Sequence, residues 1–273
     1  MRQLDVSVII PFKNHPEMTI DCLKSLEAIA LKEILLVNNG SNEATMRQIE
    51  AYCTNTQNIK LLGYDKKFNY QKINNWAAKQ ATGKVLWLLN NDVEIVASDI
   101  VEAMYNTALE KNIGATGCTL LYGDKKTIQH AGVYLVPGQT ADHLYIRQNF
   151  ADLTSSDSLP YDFRNNLPLC AVTAASLMVE KKKFDKIHGF NEDFIITGGD
   201  VDLCLRLNDA GYQATLVGYE HGYMLHKESQ SRSHLGIPYV DFAESYKSYI
   251  KHFASEHGDG FVDVRILKET GYL

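Results

Sequence analysis

Residues 86–94 read LWLLNNDVE: an apolar run halts at two amides, Asn90 and Asn91, and a carboxylate, Asp92, follows directly. Consecutive apolar positions suit a strand buried on both faces. The polar group after it therefore emerges at the strand's carboxyl end, where open α/β sheets bind ligands. A carboxylate there can present a hard divalent cation to a phosphate. Residues 198–207, GGDVDLCLRL, add a second acidic cluster, and residues 225–233, LHKESQSRS, set one imidazole, His226, among hydroxyls and bases.

Outward from this stretch, short apolar runs at 6–10, 33–37, 59–62, 85–89 and 115–121 predict strands. Helices are expected over 16–30, 44–52, 70–80 and 98–111; Met18, Cys22, Leu23 and Leu26 fall near helical spacing in the first, and Ser98 caps the last. Strand–helix alternation implies an α/β fold with a mostly parallel sheet and right-handed crossovers. The rhythm then loosens. Residues 137–168 are polar, turn-rich and aromatic, which predicts an irregular surface excursion of the kind that usually serves function or motion. A strand at 171–179, helices at 181–187 and 201–210, and a strand at 213–218 follow. In the tail, Tyr239, Phe242, Ala243, Tyr246, Tyr249, Ile250 and Phe253 recur at helical spacing. Packing of that stripe on its own domain is the expectation, with a homodimer or membrane interface as the alternative.

Composition narrows the function classes. At 273 residues, 45% hydrophobic and 22% charged, the chain has ample material for a core, which argues against disorder. A net charge of -6 offers no general attraction to nucleic acid. The basic clusters at Lys66 and Lys67, Lys125 and Lys126, and Lys181 to Lys183 read as solvated faces, with a weak anionic-membrane contact as the alternative. Five scattered cysteines form no close pair, so reduced, mostly buried thiols are expected rather than a zinc knuckle or redox motif. The first apolar run is only strand-sized, and none approaches the roughly twenty residues that span a bilayer. The expected location is cytoplasmic, with peripheral contact at the inner face of the membrane.

Seven segments carry a family resemblance in order: VSVIIPFKN (6–14), EILLVNNGS (33–41), FNYQKINNWAAKQATGKVLWLLNNDVE (68–94), TIQHAGVYL (127–135), AVTAASLMVEKKKFDKIHGFNE (171–192), GGDVDLCLRLNDAGY (198–212) and LHKESQSRS (225–233). Together they resemble a family 2 glycosyltransferase of the nucleotide-diphospho-sugar (GT-A) fold. The likeness is to the bacterial surface-polysaccharide branch that includes rhamnosyltransferases and serves lipopolysaccharide and capsule synthesis. The resemblance implies a GT-A domain over 1–235 and a C-terminal helical extension over 236–273 packed on it. It also implies an inverting enzyme that moves a sugar from a nucleoside-diphosphate donor, UDP- or dTDP-linked, to a hydroxyl of a glycan or lipid-linked glycan.

By that resemblance Asp92 ends the acidic metal motif, while Asn90 and Asn91 stand where other members carry carboxylates. His226 matches the family's C-terminal histidine. Oxygen ligands favour Mg²⁺ or Mn²⁺, and an imidazole tilts the choice toward Mn²⁺. Asp200 matches the catalytic base, although Gly199 precedes it where many members have an acid; Asp202 is the second candidate, or else a helix acid paired with Arg206. Asn38 and Asn39 end the second strand where acids commonly meet the nucleotide, or form a tight Asn-Gly turn. Pro11 and Asp65 line the same nucleotide pocket by position. His130 falls in a segment near the acceptor, with a structural histidine as the alternative, and Arg232 is a diphosphate contact from the loop after His226. Two other readings stay open: a sugar nucleotidyltransferase, against which residues 6–11 lack a glycine-rich basic loop, and a sugar-nucleotide- or glycan-binding module without activity.

Overall fold

The computed structural model describes residues 2–54, 56, 58–138, 140–227 and 257–273. Arg232 and the aromatic stripe from Tyr239 to Phe253 lie outside the described residues. In the first half strands and helices alternate: β1 (Leu4–Phe12), α1 (Pro16–Leu26), β2 (Leu31–Asn38), α2 (Glu43–Cys53), β3 (Ile59–Gly63), α3 (Tyr70–Ala78), β4 (Val85–Leu89), β5 (Val93–Ile95), α4 (Ser98–Ala108) and β6 (Ile113–Cys118). Short elements follow: β7 (Leu120–Tyr122), β8 (Ile128–His130), β9 (Val133–Leu135), β10 (Ala141–His143), α5 (Phe150–Thr154) and β11 (Leu167–Leu169). Then come β12 (Ser176–Glu180), α6 (Lys181–Lys186), α7 (Gly199–Asp209), β13 (Gln213–Val217) and β14 (Met224–His226).

Eight strands form the central sheet in the order β11-β13-β6-β12-β4-β1-β2-β3. It is mostly parallel: β12 runs antiparallel to both β4 and β6, and β11 antiparallel to β13 at the edge. Every side chain of β4 is fully buried, as a strand covered on both faces requires. Val85, Trp87 and Leu89 join the layer under α1 and α4, whereas Leu86 and Leu88 join the layer under α3 and α7. A third apolar cluster lies at the β11–β13 edge of the sheet, where Leu169 and Leu216 join Leu121, Ile128, Tyr134 and Phe163 with Val262 and Leu267 of the described C-terminal segment. Among the described residues no helix is long and apolar enough to cross a membrane.

Two predicted strands are interrupted. The run 115–121 is divided at the buried Thr119: β6 stays in the central sheet, while β7 turns into a second sheet of order β5-β14-β7-β8. The run 171–179 forms a central strand only from Ser176. Upstream of it the backbone serves other partners, since Ala174 N–H donates to Asp200 Oδ2 at 3.1 Å and Ala175 O accepts from Asn90 N at 2.9 Å. Hydropathy reports burial, and these segments are buried in both settings.

Candidate active site

A cavity of about 730 Å³ opens at the carboxyl ends of β1 and β4. Pro11 and Asn39 line one side, and Asn90, Asn91 and Asp92, released as β4 ends, line the floor. Tyr70 and Gln71 from the first turn of α3, Asp200 from the first turn of α7, and His143 and His226 close the rest.

The second sheet brings Asp92 and His226 together. β14 pairs antiparallel with β5, setting His226 opposite Val93, the residue after Asp92, and Lys227 N donates to Asp92 O at 3.0 Å. Both side chains are about 5% exposed, with His226 Nε2 3.0 Å from Asp92 Oδ1. On its other edge the ring meets Gln129: His226 Nδ1 lies 2.6 Å from Gln129 Oε1. An amide oxygen only accepts, so Nδ1 donates to it, and Nε2 is the ring nitrogen that faces the carboxylate. Asp92 Oδ1 is buried with no other hydrogen-bond partner. Nε2 and Oδ1 at this distance hold a proton or a cation between them, and a histidine that ligates a metal typically donates its other N–H to an oxygen in this way. The residues thus fit a divalent ion. Among the described residues no group of three or more His, Cys, Asp or Glu is placed to hold a metal ion, so an ion here would take Asp92 and His226 and fill its other positions with phosphate and water.

Asp200 is half-buried beside this pair. Gly198 takes the left-handed conformation (φ 81°) that starts α7, so Asp200 enters in the first turn, where backbone amides stabilise a negative charge. Its Oδ2 accepts from Ala174 N at 3.1 Å and its Oδ1 from Val201 N at 3.0 Å, fixing the carboxylate toward the cavity. Tyr70 stands between the acids, its hydroxyl donating to Ala174 O at 3.0 Å. Burial first, then the charges of Asp200 and Asp92, push that phenol up, so it stays neutral.

Other predicted residues lie off the cavity wall. Asp202 is turned away, because two residues along a helix rotate a side chain by about 200°; it is buried and accepts from Arg206 Nε at 2.8 Å. His130 is fully buried behind His143, with 2.8 Å between the two Nδ1 atoms. Burial, then the neighbouring His143 and His226, hold His130 well below the usual imidazole range. Asn38 closes its own turn by accepting from Ser41 N at 2.9 Å, and Asp65 is exposed outside the lining. Asn39 does line the cavity, but its amide NH₂ ties the loop after β3 through Tyr64 O and Lys66 O. Lys227 is held by Glu94 and by Asp21 at 3.3 Å. Gln129, Gln71 and His143 are the wall residues that sequence reasoning misses.

Residues 7–157, more than half of the chain, match the family model described as glycosyl transferase family 2. The chain belongs to glycosyl transferase family 2. Residues 161–229 match a model described as the N-terminal domain of galactosyltransferase. Among curated proteins, the family 2 chain is 34% identical over 247 residues to O-antigen biosynthesis protein RfbC of Myxococcus xanthus, covering 89% of this chain and 19% of that protein. It therefore spans about a fifth of that relative's length. Among solved structures it is similar to mannosyltransferase PcManGT from Pyrobaculum calidifontis in complex with GDP-Man and Mn²⁺, with TM-score 0.59 and 13% identity over 85% of this chain and 59% of that one. It is also similar to GalNAc-T7 with UDP, GalNAc and Mn²⁺, with TM-score 0.63 and 13% identity over 82% of this chain and 44% of that one. At such identity the likeness is one of fold, and the fold is GT-A.

Proposed function

We propose that this family 2 chain catalyses inverting transfer of a sugar from a nucleoside diphosphate, UDP- or dTDP-linked, to a glycan hydroxyl in cell-surface polysaccharide synthesis. The observation that carries the reading is the orphaned Asp92 Oδ1 facing His226 Nε2 in the same cavity as Asp200. Asp92 and His226 would hold Mn²⁺ or Mg²⁺, with the imidazole favouring Mn²⁺. When bound, the cation offsets the negative charge that the departing diphosphate develops. Pro11, Asn39, Asn90 and Asn91 face the donor. Asp200, oriented by the Ala174 and Val201 amides, takes the proton of the acceptor hydroxyl as that oxygen attacks the anomeric carbon opposite the diphosphate, so the configuration inverts. The Mn²⁺ in the two similar structures and the O-antigen relative support the metal and the polysaccharide setting.

The test is incubation with UDP- and dTDP-sugars and Mn²⁺, followed by mass spectrometry of products with and without glycan acceptors. Metal-dependent transfer with inverted anomeric configuration is expected. Tight nucleotide-sugar binding with neither hydrolysis nor transfer would instead make the chain a binding module.

A further inference from the structure

Gln71 is not used by the reaction scheme above. It stands in the first turn of α3, is 1% exposed and lines the cavity. Its Nε2 donates to Ile196 O at 3.3 Å, which orients the amide, and its Oε1 is buried with no hydrogen-bond partner. A buried carbonyl left without a donor destabilises the fold, since it has given up water for nothing. Native structures leave few such groups, so one on a cavity wall marks where a ligand donor arrives. Phosphate oxygens only accept and cannot meet this need, whereas a hydroxyl can.

The amide also lies flat against the backbone next to Asp200. A Cβ at Gly199 would sit 2.1 Å from Gln71 Nε2 and 2.6 Å from its Cδ, so the glutamine fills the space a side chain at 199 requires. Asn74 Oδ1, one turn on, is also buried without a partner but does not line the cavity. We propose that Gln71 is a substrate-positioning residue whose Oε1 accepts a hydrogen bond from a sugar hydroxyl held beside Asp200. This rests on the transferase reading and extends it: the hydroxyl belongs to the donor sugar or to the acceptor glycan, and a sugar lacking it leaves the carbonyl unpaired and is discriminated against.

The experiment compares wild type with Gln71→Met, which keeps the length and loses the acceptor. Calorimetry in Mn²⁺ with UDP, dTDP, UDP-glucose and dTDP-rhamnose forms the donor arm; transfer to methyl glucoside, galactoside and rhamnoside forms the acceptor arm. UDP, dTDP and Mn²⁺ affinities should not change. Either the sugar nucleotide loses about tenfold relative to its parent diphosphate, which assigns a donor hydroxyl, or KM for the glycoside rises about tenfold, which assigns an acceptor hydroxyl. The melting temperature should hold or rise, since an unmet polar group has gone. Gly199→Ala, whose methyl displaces the amide, should cause the same loss in the wild-type background and no further loss beside Gln71→Ala. Donor and glycoside handled by Gln71→Met as by wild type would overturn the proposal. Failure of UDP and dTDP to bind the wild type would instead overturn the transferase reading, and this inference with it.

Discussion

At Asp92 the chain buries a carboxylate oxygen 3.0 Å from an imidazole nitrogen, His226 Nε2, while Gln129 holds the ring's other nitrogen 2.6 Å away. Gln129 thus orients the ring. Gln129→Leu should weaken Mn²⁺ binding by about 10–100-fold, read by calorimetric titration; unchanged affinity would remove the orienting role. In the proposed reaction Asp200 acts on the acceptor rather than the donor, so Asp200→Asn should leave nucleotide affinity nearly intact and lower transfer by about 10²–10⁴-fold in kcat. Wild-type turnover would pass the role to another group. Asp92, Asp200 and His226 are legible in sequence because each is a polar interruption beside an apolar run. Gln129 and His130 are not separable that way: neighbours on a strand point to opposite faces, and the sequence does not say which face meets the cavity. The structure turns Gln129 inward and packs His130 behind His143.

Glu33 ties the parallel edge of the sheet at the level of elements. From β2 it accepts from Ser7 Oγ of β1 at 2.6 Å, Lys60 Nζ of β3 at 2.6 Å and Thr82 N at 2.7 Å. Burial alone raises this carboxyl, but the ammonium, hydroxyl and amide together outweigh it and bring the group from 4.5 to about 2. Because the folded value is the lower one, the carboxylate stabilises the fold above pH 4.5, and that contribution fades as pH falls from there toward 2. Glu33→Gln should cost about 1–2 kcal/mol in urea unfolding at neutral pH, solvent screening of the Lys60 pair included, and progressively less in acid; a penalty independent of pH would contradict this. The strands this knot joins are legible from their apolar runs. The division at Thr119 and the late start of β12 are not, because distant partners claim the backbone locally: Met224 N donates to Thr119 O at 3.1 Å, and Asp200 and Asn90 bond Ala174 and Ala175.

Across the whole molecule, the sheet order β4-β1-β2-β3 puts the ends of β1 and β4 side by side, and the small second sheet folds His226 back over that edge. Alternating strands and helices make the mostly parallel sheet readable from sequence. The reversed β12 at its centre has no signature of its own, since a strand buried on both faces reads alike in either direction. The central claim is that Asp92 and His226 form a cation site that recruits a nucleoside diphosphate. Its most direct test is the melting temperature with UDP or dTDP at about 100 times Kd, with and without Mn²⁺, for wild type and Asp92→Ala. Binding at that ratio stabilises by about 2.7 kcal/mol, a rise of roughly 5 °C at this size. The wild type should show that rise only when Mn²⁺ is present, and Asp92→Ala should show none; a rise of equal size in the variant would contradict the claim.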